Sequence, residues 1–330
     1  MMNHKLRVGE IREAYLTDED IWRIFTQFLS PKSKKSATYK FVFMKALIEN
    51  LYQTNDHDEL SYDQMAYTFA KIYWNLVVNH KITKHNNGKN ARVVTDISKL
   101  QQKHGIPDDL PFDKLNDTVQ LDITNAVKAT MKVNVFGALY GDTKGYFYAF
   151  DHKKDVLRYN HPVKLFMLKY QKLITYLTNY HMARMIEALN EDLTIKDLLT
   201  KVECIAKRSS LKPFATIIGH YFNQECFYCH KPLDSGKRKT AVDHFIPWSF
   251  VQSDNLWNLV LSCGTCNSSK SDKIPEETYL NNVLERNDQL IQQANMNEVE
   301  RHMHNYKQEK MVLLYEYSIK NGYDTIWQPK

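Results

Sequence analysis

No run of about 18 uncharged apolar residues occurs in these 330 residues, which excludes an obvious membrane-spanning helix. The opening segment, Met1-Met2-Asn3-His4-Lys5-Leu6-Arg7, lacks the apolar core of a signal peptide, so a cytoplasmic protein with no membrane partner is expected. There is no internal repeat and no low-complexity tract, which argues against solenoids and disordered chains. Cysteine is scarce, at five residues, and four of the five stand in two C-x2-C pairs, Cys226/Cys229 and Cys263/Cys266. That spacing suits a metal in a reducing compartment better than a disulfide framework. Cys204 is left over and reads as a small buried hydrophobe or a free thiol.

What is present is core material. Apolar residues make up 43% of the chain, including 20 Tyr and 15 Phe, enough for one large or two ordinary globular domains. The net charge of +6 is mild, but it is unevenly spread. Residues 201–275 carry ten Lys/Arg against six Asp/Glu, whereas residues 276–330 carry six against nine. Basic character therefore gathers around the cysteines.

The chain reads as mainly α with a small α+β part. Thr17-Asp18-Glu19-Asp20 resembles a capping box, and Ile21, Ile24, Phe25, Phe28 and Leu29 follow at helical spacing. Further helices are expected from about Thr38 to Leu51 and from Ser61, capped with Gln64, through Leu76. Residues 82–98 read as a polar loop. Val135 to Leu139, Tyr146 to Phe150 and Val156 to Tyr159 suggest a small antiparallel meander. One long helix is expected from Val163 to Leu189, and two more after Pro275, over Glu276–Gln293 and Asn297–Asn321, with a terminal Trp327 positioned to dock. The implied division is a mainly helical domain, residues 1–205, followed by residues 206–330, whose core is 222–275.

Two C-x2-C turns complete a closed tetrahedral Zn2+ site with Zn–S distances of about 2.3 Å. A closed four-thiolate site leaves no position for substrate, so this zinc is structural. Between the pairs lies Thr240-Ala241-Val242-Asp243-His244, a short strand stopped by Pro247, then Asn255 to Ser262 as a second strand, then a helix opening at Asn267. Neighbours in a strand face opposite ways, so Asp243 and His244 share a site only at a strand end where the backbone bends. A neutral imidazole at His244 suits proton abstraction from water. Asp243 and Asn267 offer one anionic and one neutral oxygen to a hard ion such as Mg2+ or Mn2+.

Val242-Asp243-His244-Phe245-Ile246-Pro247, Asn258 and Cys263-x2-Cys266-Asn267-x2-Lys270 resemble the HNH family of nucleases, with their ββα-metal fold. The spacing is also similar to the HNH domain of RNA-guided CRISPR nucleases, which lacks the cysteine pairs. The resemblance covers about residues 222–275. It implies a DNA endonuclease with His244 as general base, Asp243 and Asn267 on the catalytic metal, and Asn258 bracing the loop between the strands. Asn267 stands where many relatives carry the last histidine of the name, which favours Mg2+ over softer metals. Lys270, one helical turn after Asn267, reads either as a phosphate contact or as a solvated lysine, and Lys237, Arg238 and Lys239, ahead of the catalytic strand, read as phosphate contacts or as a basic loop that serves only solubility. His230 is a spare zinc ligand or an exposed residue, and Trp248 and Trp257 suit packing better than base stacking. The biological setting suggested by analogy is bacterial restriction or anti-phage defence, with a homodimer or a defence-system partner protein completing a double-strand break. The competing reading is a non-catalytic zinc module that binds nucleic acid or protein.

Overall fold

The computed structural model describes residues 6–30, 33, 36–87, 91–190, 192–203, 211–233, 240–251, 254–293, 299, 302–303 and 306–329. The chain divides into two compact units, Met1–Lys207 and Arg208–Lys330. The architecture is mainly α with small sheets.

In the first unit the sequence-coded caps form as read. Helix α1 (Asp18–Leu29) starts at Thr17, whose side chain accepts from the Asp20 N–H while the Asp20 carboxylate accepts from Thr17. Helix α2 (Tyr39–Glu49) is buried almost all round, and α3 (Tyr62–Trp74) begins at a Ser61/Gln64 capping box. A four-stranded antiparallel sheet has the order β1 (Val8–Gly9), β3 (Tyr148–Asp151), β4 (Val156–Tyr159), β2 (Glu59–Ser61). Its buried face packs Tyr148, Phe150, Leu157 and Tyr159 against the helical core.

Three expectations fail here, each for a tertiary reason. Residues 82–98 are not all loop, because α4 (Arg92–Lys103) begins at Arg92 and buries Val93, Val94 and Ile97. Val135 to Leu139 are not a strand. Helix α5 (Asp117–Asn134), capped by Asn116, runs into α6 (Phe136–Asp142), and the Phe136 ring stacks on Tyr62 with centroids 4.1 Å apart. Val135, Phe136 and Leu139, which suggested a strand, are instead buried at the joint between these helices. The long helix of 163–189 is two, α7 (His161–Lys169) and α8 (Gln171–Leu189), joined at a non-helical Tyr170 whose hydroxyl reaches Asp18. Helix α9 (Ile195–Glu203) follows.

The second unit holds the cysteines. Helix α10 (Lys212–Tyr221) precedes the hairpin of β5 (Thr240–His244) and β6 (Leu259–Cys263), which are antiparallel with Asp243 opposite Val260 and His244 opposite Leu259. A short α11 (Trp248–Val251) lies in the connection. The second strand is shorter than expected, since Leu256–Asn258 is a 3-10 turn. Helix α12 (Gly264–Lys270) starts three residues before the expected Asn267, because Cys263 itself is the N-cap and its sulfur accepts from the Cys266 N–H. Strand β7 (Ile274–Pro275) pairs in parallel with β8 (Ile326–Trp327). Between them run α13 (Glu277–Gln293) and α14 (Gln308–Lys320), and the helix expected over 297–321 is interrupted at Tyr306 and Lys307, which lie outside any helix, Lys307 being extended.

Candidate active site and metal centre

The first cysteine pair sits on a tight knuckle. Cys226 N–H donates to Lys231 O, His230 N–H donates to Cys226 O, and His230 takes a positive φ of 55°, which turns the chain sharply after Cys229. Phe227 N–H donates to Leu261 O and so ties the knuckle to β6. The second pair spans the cap and first turn of α12. All four sulfurs lie within 4.8 Å of one another, and Cys229 Sγ is 3.9 Å from Cys263 Sγ. A tetrahedral ion with bonds of about 2.3 Å needs sulfurs about 3.8 Å apart, so the cluster fits Zn2+. Burial pushes the Cys226 and Cys266 thiols up. Burial acts on Cys263 in the same direction, but the Cys266 N–H and the neighbouring thiols outweigh it and lower that thiol to about 7. Four thiolates in so small a volume would need a cation, and a zinc ion held by these four sulfurs would supply it.

The clamp encloses the strand end. At His244 the chain leaves β5, and Asn258 holds it there: its amide donates to Ile246 O and its carbonyl accepts from Ile246 N–H, both at 2.9 Å. Asn258 is fully buried, and its own backbone carbonyl accepts from Phe245 N–H. One amide thus meets both polar groups of one residue, using the separate donor and acceptor atoms that a side-chain amide presents side by side. With the backbone bent, Asp243 and His244 line the same polar cavity of about 240 Å3, together with Asn267 and Asp272. Ser271, at the C-terminal end of α12, borders it with a φ of 49°.

Asp243 is buried, and its Oδ2 is fully engaged. It accepts from the Tyr228 hydroxyl at 2.6 Å and pairs with the Lys270 ammonium at 3.1 Å. Burial and the adjacent carboxylate push the Tyr228 phenol well up, so it remains a donor. Trp327 packs edge-on against Tyr228, with centroids 5.0 Å apart at 83°. Trp257 is buried, as packing requires.

Lys270 departs from both expectations. Its exposure is 0%, and its ammonium donates to His244 O at 2.7 Å as well as pairing with Asp243. Burial pushes its ammonium down, against the raising pull of Asp243. Such a group is neither solvated nor free to reach a phosphate; it ties α12 to the end of β5. Lys237, Arg238 and Lys239 lie outside the described residues.

Four contributors carry no spacing signal. Tyr228 stands inside the first cysteine pair and reads as a knuckle aromatic until the fold places it under Asp243. Asp254 accepts from or pairs with His244 Nε2 at 2.8 Å. Arg286 of α13 donates to Leu259 O and Trp257 O, and Asn287 also donates to Trp257 O, so α13 holds the segment that carries Asn258.

The bonds from Tyr228 and Lys270 both fall on Asp243 Oδ2, and the Asn267 side chain lines the same cavity, so a carboxylate and an amide oxygen are the hard donors this site could offer a cation. This hard-oxygen donor set fits Mg2+ or Mn2+, with the remaining positions left to water and phosphate. No described helix is long and apolar enough to cross a membrane. Residues 226–276 match the family model described as HNH endonuclease, a stretch that opens at the first ligand cysteine and closes just after β7. No curated protein matches the chain, and no solved structure matches it. The candidate site therefore falls within an HNH endonuclease segment.

Proposed function

We propose that this chain is a metal-dependent endonuclease that hydrolyses DNA phosphodiester bonds. The observation that carries the reading is the meeting of Asp243, His244 and Asn267 at one polar cavity beside a four-cysteine metal cluster. Hydrolysis needs a water made nucleophilic and a stabilised pentacovalent transition state. His244 takes the proton of the attacking water, whose hydroxide joins phosphorus. That proton balances the alkoxide released as the P–O bond breaks, giving a phosphomonoester and a hydroxyl. Asp243 and Asn267 hold Mg2+ or Mn2+, which supplies charge neutralisation at the phosphate. Asn258 and Lys270 keep His244 and Asp243 at the bent strand end. The Zn2+ at Cys226, Cys229, Cys263 and Cys266 holds the frame and touches no substrate.

Lys237, Arg238 and Lys239 are proposed phosphate contacts ahead of β5, residues 1–205 a substrate- or partner-selecting domain, and restriction or anti-phage defence in the cytoplasm the setting. One such site cuts one strand, so a double-strand break calls for a second copy or a partner protein. A non-catalytic zinc module accounts for the cysteines but leaves the buried dyad of His244 and Asp254 without a task. The test is nicking of supercoiled plasmid with Mg2+ by the wild type and by His244→Ala, with zinc content and melting matched. Wild type should nick and His244→Ala should not. DNA binding without nicking across Mg2+, Mn2+, Ca2+ and Ni2+ would end the enzyme reading.

A further inference from the structure

Three restraints that its sequence motif does not explain hold His244, two on its backbone and one on its ring. Its carbonyl accepts from Lys270, and its strand partner is Leu259. The third restraint acts on the ring itself: Nε2 lies 2.8 Å from Asp254 Oδ1, with side-chain exposures of only 7% and 13%. An ionised carboxylate only accepts, so the proton on Nε2 is held there whether the ring is neutral or charged. No hydrogen bond among the described residues engages Nδ1.

We propose that Asp254 is the positioning residue for His244, holding the Nε2–H tautomer and one ring orientation so that Nδ1 is the atom that accepts the proton from water. The inference rests on the nuclease reading for the role of Nδ1, while the hydrogen bond itself stands on the geometry. A histidine ring turned by half a revolution about its last torsion exchanges Nδ1 for a carbon, and such a ring has no base facing the water. A buried carboxylate on Nε2 prevents that turn. It also aligns the base in the way a third group orients base and nucleophile in other hydrolytic sites. Asp254 lies ten positions after His244, beyond α11, and the bonds between Asn258 and Ile246 bring the two ends of this connection together.

The experiment pairs a spectroscopic and a kinetic readout on the full, zinc-loaded chain. A ring N–H held by a carboxylate exchanges slowly with water and gives a downfield 15N-coupled proton, assigned by its disappearance in His244→Ala. The signal is expected in wild type and absent in Asp254→Ala. In plasmid nicking with Mg2+, Asp254→Ala is expected to lower kcat by about 100-fold, the lower range of a general base's contribution, with KM within about twofold. Asp254→Asn, which still accepts through its amide oxygen, and Asp254→Glu are expected to fall between. They carry the test if Asp254→Ala loses zinc or melts early. Persistence of the downfield proton in Asp254→Ala, or wild-type kcat in that variant, overturns the proposal. A wild type that has the bonded proton yet never cleaves upholds the tautomer and ends the nuclease reading instead.

Discussion

Replacing Lys270 with Met separates a buried tie from a phosphate contact. Methionine matches the length of the lysine stem and suits a site of zero exposure, so the change removes the ammonium with little change in packing. Two interactions vanish, the 2.7 Å hydrogen bond to His244 O and the 3.1 Å pairing with Asp243. Asp243 is then a buried carboxylate that retains the Tyr228 hydroxyl but no countercharge on Oδ2. Breaking a buried pair from one side costs about 3–5 kcal/mol, because the surviving charge stays desolvated. Adding Asp243→Asn to Lys270→Met removes that charge. The double variant should therefore be more stable than the sum of the two single changes predicts, with a coupling of at least about 1 kcal/mol. Since the chain has two compact units, a global melt would mix them. Hydrogen exchange of peptides spanning β5 and β6, with zinc present, reads the affected unit alone. DNA binding measured against salt gives the second axis. Removing a phosphate contact would lower the log–log slope by about 0.9, whereas removing a buried tie leaves it unchanged. Wild-type protection of β5 and β6 in Lys270→Met, together with a slope reduced by about 0.9, would refute the structural role of this lysine.

Cys263→Ser removes both a metal ligand and the cap of α12; structural zinc contributes roughly 10 kcal/mol or more, so exchange protection should collapse over residues 226–276 while α1 to α9 stay protected. Equal protection in both units after zinc loss would contradict this. Asn258→Ala leaves the buried N–H and C=O of Ile246 unpaired and should cost about 2–4 kcal/mol, read by urea titration of β6 protection; a change below about 0.5 kcal/mol would show that the clasp is dispensable. His85 in the first unit is fully buried, bonded to Thr38 and Ile82 O, and burial pushes its pKa down to about 4 despite the raising effect of the Ile82 carbonyl. The unfolded chain binds a proton between about pH 6.5 and 4 that the folded chain refuses, so stability present above about pH 6.5 falls by up to about 3 kcal/mol as the pH drops to about 4. His85→Gln should flatten that dependence in the first unit, and an unchanged slope between about pH 7 and 4.5 would assign the effect elsewhere.

Much of this was legible because it is local. Capping boxes at Thr17 and Ser61 need only side chains three residues apart, and the two cysteine turns need only their spacing. The bend after His244 could be anticipated from Pro247, since a strand cannot run through it. The misreadings concern residues whose role depends on distant partners. Val135 and Phe136 favour a strand by composition, yet Tyr62 and the adjoining helices make a helical joint the better-packed choice. Lys270 carries the charge of a surface residue, and nothing nearby in sequence tells that Asp243 and the His244 carbonyl wait in the interior to receive it. Tyr228 and Asp254 were invisible for the same reason: a hydroxyl 15 positions before its carboxylate and a carboxylate ten positions after its imidazole have no periodicity to betray them.

The edge of Trp327 on Tyr228 has a bearing on when the site comes into being. The two residues stand 99 positions apart (327 − 228), and β8 joins β7 only when residues 326 and 327 are available. During translation the first unit is synthesised in full before any cysteine of the cluster appears, and domains fold as units in that order. The hydroxyl that steadies Asp243 gains its indole neighbour last of all. On the proposed reading, a ribosome-bound chain carries a finished selecting domain long before its cutting centre is braced.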